Sequence, residues 1–142
     1  MRGRAVAAAV AGLAVVTATL VATTAVASPQ QAFPQGRYSS PLTPADFIRF
    51  GGRMDPNFPH PWMITIRRGR WKTNERPAFG GVYVLRGNQI TFVIKYPVDA
   101  AGTRQTLRWT YSRRRLRFTI VAGVEGGDQA IYLAHPWRWI GP

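Results

Sequence analysis

The side chains best suited to metal or proton chemistry are two histidines, His60 and His135, each opening a His-Pro-Trp triplet. Two imidazoles fall short of the three or four ligands that zinc normally takes, and Asp55 or Asp128 would have to complete the set. A mechanical reading competes: each proline starts a strand and the tryptophan behind it packs. The six acids, Asp46, Asp55, Glu75, Asp99, Glu125 and Asp128, are spread over expected loops and one helix start. No spacing among them suggests the facing carboxylates of a glycosidase. Ser112 sits in an expected turn without the strained elbow of a serine hydrolase. Gly80-Gly81 and Gly126-Gly127 are not followed by the Lys-Ser/Thr helix of a phosphate loop. The chain has no cysteine, hence no thiolate nucleophile and no disulfide framework. These residues designate no catalytic group, no metal site and no cofactor, and a non-enzymatic role is expected.

Positioning elements begin after a leader. Arg2 and Arg4 precede an apolar run from Ala5 to Val26, and Ala25-Val26-Ala27 precedes Ser28-Pro29. That is the charged, apolar and cleavage-site layout of a secretory signal peptide over residues 1–27. Retention as an uncleaved anchor is the alternative, because the run is long enough to cross about 30 Å of hydrocarbon. Either way the domain is expected outside the cytoplasm, touching a membrane only through this segment. Residues 28–41, rich in Pro, Gln, Ser and Gly, read as a flexible tether, leaving residues 42–142 as one domain.

Thr43-Pro44-Ala45-Asp46 carries the signals of a helix start, with Thr43 as cap and Pro44 at the first helical position. Phe47, Ile48 and Phe50 follow, and Gly51-Gly52 ends this short helix, which could plug or cover one end of the domain. Beyond Phe50 no helical period is expected.

Three hairpins can be tested for self-consistency, since a turn dictates which side chains face each other. A turn at Arg68-Gly69 pairs Ile66 with Trp71 and Ile64 with Thr73. One at Gly87-Asn88 pairs Leu85 with Ile90 and Tyr83 with Phe92. One at Arg113-Arg114 pairs Tyr111 with Leu116, Trp109 with Phe118 and Leu107 with Ile120. In the first and third, the apolar residues gather on one face and the arginines, Arg67 with Arg70 and Arg108 with Arg117, on the other; in the second, Val82, Val84 and Val93 join Thr91 and Lys95 on an outer face that is only partly polar. A slip of one residue would bury arginines, and an unpaired buried charge costs about several kcal/mol. With Ile131-Tyr132-Leu133 and Trp137-Arg138-Trp139-Ile140 as further strands, the spacing predicts an all-β antiparallel meander of about eight short strands. Closure into a small barrel hides both edges, a two-layer sandwich being the alternative.

The run Trp62-Met63-Ile64-Thr65-Ile66, Gly69-Arg70-Trp71, Gly80-Gly81-Val82-Tyr83-Val84, Gly87-Asn88-Gln89-Ile90-Thr91-Phe92, Leu107-Arg108-Trp109, Leu116-Arg117-Phe118 and Pro136-Trp137-Arg138-Trp139-Ile140-Gly141, behind a short leading helix, resembles the small lipocalin-like β-barrel domains of exported actinobacterial proteins. The resemblance implies a lipocalin-like barrel and a small apolar ligand, and carries over no catalytic residue.

Function is then expected from two surfaces. The inner-face aromatics are Trp62, Trp71, Tyr83, Phe92, Tyr96, Trp109, Tyr111 and Phe118. They are either plain core, since a small barrel is just filled by its own side chains, or partly the lining of a site for an apolar or aromatic ligand, with Tyr83, Phe92, Trp109, Tyr111 and Phe118 as candidates. The second reading requires a cavity of roughly 300 Å³. The other surface is cationic. The chain has 19 Lys+Arg against 6 Asp+Glu; without Arg2 and Arg4 the balance is 17 against 6, or +11. Arg108, Arg113, Arg114, Arg115 and Arg117 form a candidate surface for anionic cell-envelope polymers. With the aromatics turned inward, no specific nucleic-acid recognition is expected. A barrel isomerase or cyclase is a third reading; it would need a pocket group of perturbed pKa, which the sequence does not point to.

Overall fold

In a computed structural model, residues 31–142 are described, apart from Met54 and Pro56. The expected signal peptide, Met1 to Ala27, lies outside the described residues. None of the described helices is long and apolar enough to cross a membrane.

The chain is an all-β closed barrel of eight antiparallel strands in meander order. They are β1 (Gly36–Ser40), β2 (Trp62–Arg67), β3 (Arg70–Thr73), β4 (Gly80–Arg86), β5 (Gln89–Tyr96), β6 (Arg104–Ser112), β7 (Arg115–Ala122) and β8 (Trp137–Gly141). Two helices of six residues interrupt the meander, α1 (Pro44–Arg49) and α2 (Asp128–Leu133). The three hairpins have the expected registers: Ile66 faces Trp71, Tyr83 faces Phe92, and Trp109 faces Phe118. Arg108 and Arg117 stay in water while Leu107, Trp109, Leu116 and Phe118 are buried between them. The penalty for burying guanidinium fixes this alternation.

Helix α1 begins as its residues dictate. The Thr43 hydroxyl accepts from the Asp46 N–H at 3.2 Å, and the Asp46 carboxylate accepts from the Thr43 N–H at 3.0 Å, a reciprocal capping box. Yet α1 buries none of its residues, and it packs against α2 instead of plugging the barrel.

Four expectations are corrected. Within the segment assigned as a tether, residues 28–41, Gly36–Ser40 is a barrel strand: β1 pairs with β2 and with β8 and closes the cylinder. Ahead of it Phe33 is buried against Tyr83 and Trp109, with ring centroids 6.0 and 5.2 Å away. Second, Ile131-Tyr132-Leu133 is not a strand but the end of α2. Tyr132 enters the barrel from this helix, stacks 6.4 Å from the Phe92 ring, and donates from its hydroxyl to Gln105 Oε1 at 2.6 Å. That buried partner explains how a phenol is tolerated there. Third, the expected absence of helix beyond Phe50 fails at the same place. Fourth, Tyr96 leaves the inner face and is exposed. A register shift at Gly80/Gly81 sets Tyr96 opposite Gly80, whose missing Cβ would stand 2.2 Å from the Tyr96 hydroxyl.

The core therefore runs the length of the cylinder, with Phe33 packed into it from the segment ahead of β1 and Tyr132 from α2. Trp62, Trp137, Tyr38 and Phe92 are its largest fully buried side chains.

Candidate functional site

In an up-and-down meander, alternate connections emerge at the same end. The turns at Arg68-Gly69, Gly87-Asn88 and Arg113-Arg114 share one end of the barrel, the turn end, and the remaining connections share the other, the helix end. Charge divides along this axis. All six carboxylates, Asp46, Asp55, Glu75, Asp99, Glu125 and Asp128, lie in helices or connections of the helix end. Arg49, Arg53, Lys72, Arg76, Lys95 and Arg104 are in the same region and balance them. The other eleven cations, Arg37, Arg67, Arg68, Arg70, Arg86, Arg108, Arg113, Arg114, Arg115, Arg117 and Arg138, lie at the turn end or in strand halves next to it, with Arg108 at its strand's midpoint and Arg138 placed there by its register with Arg115. Among the described residues, the one lysine or arginine in an ion pair is Arg49, 3.1 Å from Asp46 at the helix end. The turn end thus carries the excess charge without a counter-ion from the chain.

Arginines at the turn end even face each other. Arg67 stands opposite Arg70, and Arg115 opposite Arg138, although like charges in register destabilise a strand pair. Arg113 and Arg114 adopt φ of 49° and 61°, a left-handed conformation in which a two-residue turn favours Asn-Gly. Arg114 lies over the Trp139 ring, 4.4 Å from its centroid. Two open hollows surround this tip. One of about 600 Å³ is lined by Arg113, Arg114, Arg115, Arg138, Trp139 and Ile140, and one of about 650 Å³ by Ser112, Arg113, Arg115 and Arg117. Four of the five expected polyanion residues are thereby assembled, while Arg108 lies apart from both hollows. Arg138 and Trp139 were missed. Trp139 also revises the expectation that every aromatic turns inward, for it is half-buried at the surface.

The expected apolar lining is core. Tyr83, Phe92, Trp109 and Phe118 are buried, and Tyr111 is partly buried against them. Phe92 packs its ring against Trp71, Tyr83, Phe118 and Tyr132 at centroid distances of 5.0 to 6.5 Å. Phe118 also touches a hollow, an open one of about 260 Å³ outside the barrel beside His135 and Arg117. Two smaller cavities, of about 60 and 80 Å³, lie at the helix end. Both are far below the roughly 300 Å³ that small-molecule sites occupy.

The two His-Pro-Trp triplets separate in role. Trp62 and Trp137 open β2 and β8 and are buried, as the mechanical reading expects. His60 is exposed, whereas His135 Nε2 lies 2.9 Å from Asp46 and ties the α2–β8 connection to α1. Partial burial alone would raise the Asp46 carboxyl, but hydrogen bonds from His135 and from the Thr43 hydroxyl and backbone hold it down at about 2. No group of three or more His, Cys, Asp or Glu that could hold a metal occurs among the described residues.

The smaller helix-end cavity contains what the sequence did not disclose. Glu75 and Asp128, 53 positions apart in the chain, line it together with Thr73, Gln105, Tyr132 and the apolar walls of Ile64, Trp71, Phe79 and Ile94. Burial, reinforced by the charges of Asp128 and Asp55, pushes Glu75 up to about 7 against a hydrogen bond from Thr73 that pulls the other way. A pocket carboxyl of perturbed pKa, the requirement of an acid–base enzyme, is thus present, in a space that admits only a few atoms. Loop parity is the signal that could have revealed this pair: both acids fall in connections of the same end.

A search with this chain finds no matching family model, no matching curated protein and no matching solved structure.

Proposed function

We propose that this protein is an exported binding module that docks end-on, through its turn end, onto an extended anionic polymer such as a phosphodiester chain of the cell envelope. A small closed barrel is compatible with a binding role, and the distribution of charge carries this reading. Eleven arginines share one region with no carboxylate, two pairs face each other in register, and two more occupy a strained turn. The crowding of like charge disfavours the isolated fold, and a polyanion relieves it by bringing negative charge to the hollows around Arg113, Arg115 and Arg138, while the strain of the turn is local and remains. Trp139 adds a flat apolar face beside Arg114. The filled interior weighs against the alternative, a lipocalin-like carrier of an apolar ligand within the barrel.

The test is retention on immobilised polyphosphate as a function of salt. Neutralising phosphates releases counter-ions, so log affinity falls linearly with log salt, by about 0.7 to 0.9 for every contact. Arg115→Gln with Arg138→Gln is expected to reduce that slope by about 1.5. Retention indifferent to salt, or a slope unchanged in the double variant, would refute end-on docking. An equal effect from Lys95→Gln with Arg104→Gln at the helix end would leave only diffuse attraction.

A further inference from the structure

We infer that the open edge of β7, at Phe118 and Ile120, takes up an extended acidic peptide of another protein as an added antiparallel strand. The edge runs along the wall of the barrel and is independent of end-on docking. At this seam the cylinder closes narrowly. β8 meets β7 with Arg115 opposite Arg138 and Leu116 opposite Trp137, whereas on its other side β7 pairs with β6 from Arg115 to Ala122. From Arg117 onward no strand stands on the β8 side of β7 among the described residues.

Hydrogen-bond parity decides which main-chain groups this leaves open. The Trp139 N–H donates to the Arg114 carbonyl at 2.9 Å. Residues that exchange bonds across an antiparallel pair alternate with those that do not, so Arg114 and Leu116 turn their main-chain groups toward β8, and Phe118 and Ile120 turn theirs the same way. The opposite side agrees. The Trp109 N–H donates to the Asn88 carbonyl, which turns Trp109 toward β5 and leaves Arg108 and Thr110 to bond Thr119 and Arg117 across the β6–β7 ladder. Phe118 and Ile120 therefore face a missing neighbour. Helix α2 lies beside β7, yet no main-chain hydrogen bond joins it to Phe118 or Ile120. An open hollow of about 260 Å³ marks the place, with Arg117, Phe118 and Thr119 on one side and Leu133, Ala134 and His135 on the other.

An unpaired strand edge recruits extended chain, in which the main chain supplies affinity and alternate side chains supply selectivity. Arg117 and Thr119 are exposed on the outer face, and Arg108 stands opposite Thr119. Peptide residues opposite Arg117 and Thr119 would also point outward, where carboxylates complete cross-strand pairs with the guanidinium groups. No acidic residue lines the hollow, and Asp46, at its rim, is bonded to His135. The peptide residue between them, opposite Phe118, turns toward Phe118, Tyr132 and Leu133 and calls for an apolar side chain. A second copy of this chain fits less well, because it would bring another strongly basic surface to a seam flanked by arginines.

The probe is a capped pentapeptide of alternating aspartate and valine, its two valines opposite Phe118 and Ile120. In the free protein the Phe118 and Ile120 amides should exchange with deuterium at least about tenfold faster than those of Arg117 and Thr119, and added peptide should slow them. Methylating the valine nitrogens, whose N–H groups point at β7, should weaken binding by at least about tenfold; methylating the aspartate nitrogens, which point away, should change it by less than about twofold. Asparagine in place of aspartate should weaken it about fivefold. Retention on polyphosphate is blind to methylation of a peptide, so failure of edge pairing and failure of end-on docking are separately visible. Absence of peptide binding, equal affinity of the two methylated peptides, or protection of both amides before peptide is added would each overturn the inference. Protection that grows with protein concentration alone would replace it by pairing with a second copy.

Discussion

Arg113 and Arg114 hold the central positions of the β6–β7 turn with φ of 49° and 61°. For residues bearing a Cβ this conformation costs about 1–2 kcal/mol each, chiefly from contact with the following carbonyl. Replacing the pair by Asn-Gly removes most of that strain, a gain of about 2–3 kcal/mol. Two terms oppose it. Glycine loses about 0.4–1 kcal/mol through the greater freedom of the unfolded chain, and removing the guanidinium from above Trp139 loses about 0.5–1 kcal/mol at a surface site. The bond from the Trp139 N–H to the Arg114 carbonyl, 2.9 Å, belongs to the backbone and survives. The net is a stabilisation of about 1 kcal/mol, or a melting temperature raised by about 4 °C for a domain of this size. Thermal unfolding followed by circular dichroism measures it, and the polyphosphate salt slope should fall by about 1.5 in the same variant. A variant that melts lower than the parent, or gains stability while keeping its full slope, would refute the reasoning that strain is retained here for the sake of charge.

Three further outcomes follow from the fold. With its carboxyl held at about 2 against an ordinary 3.8, Asp46 binds a proton more readily unfolded than folded. It therefore contributes stability above about pH 4 that is lost as pH falls toward 2; acid titration of Asp46→Asn should lack this component. Tyr132→Phe leaves Gln105 Oε1 without its buried donor and is expected to cost about 1–3 kcal/mol in urea unfolding; a loss under about 0.3 kcal/mol would show that the bond is dispensable. Deleting residues 31–40 removes β1 and opens the barrel between β2 and β8, so cooperative unfolding should disappear; a sharp transition in that deletion would restore the domain boundary to the helix.

The hairpins were legible because a turn defined the partners, and in the first and third the resulting pairs placed arginine outside and apolar residues inside; in the second the Gly87-Asn88 turn carried the register, since Val82 and Val84 stand outward. The segment 36–40 escaped because Gly-Arg-Tyr-Ser-Ser has one apolar side chain to mark its inner face. Ser40 and Gly36 are buried by smallness rather than hydrophobicity, and composition alone resembles a linker. Helix α2 escaped because six residues span less than two turns, too few to show a period, while Ile131 and Tyr132 have strand-like propensity. The carboxylate cavity was hidden for a different reason. Glu75 and Asp128 meet through the closure of the sheet, a property of the whole topology rather than of any local pattern. The apolar-ligand expectation rested on counting aromatics; what it lacked was Phe33 and Tyr132, which pack into the barrel from segments read as tether and as strand.

Confinement of the excess positive charge to one rim gives the cylinder an electric moment along its axis. A uniformly negative wall would therefore rotate an approaching molecule before any contact forms. Every docked copy would share one polarity, with its arginine rim toward the wall and its two helices facing away. A layer of such molecules would show the surroundings a nearly neutral face.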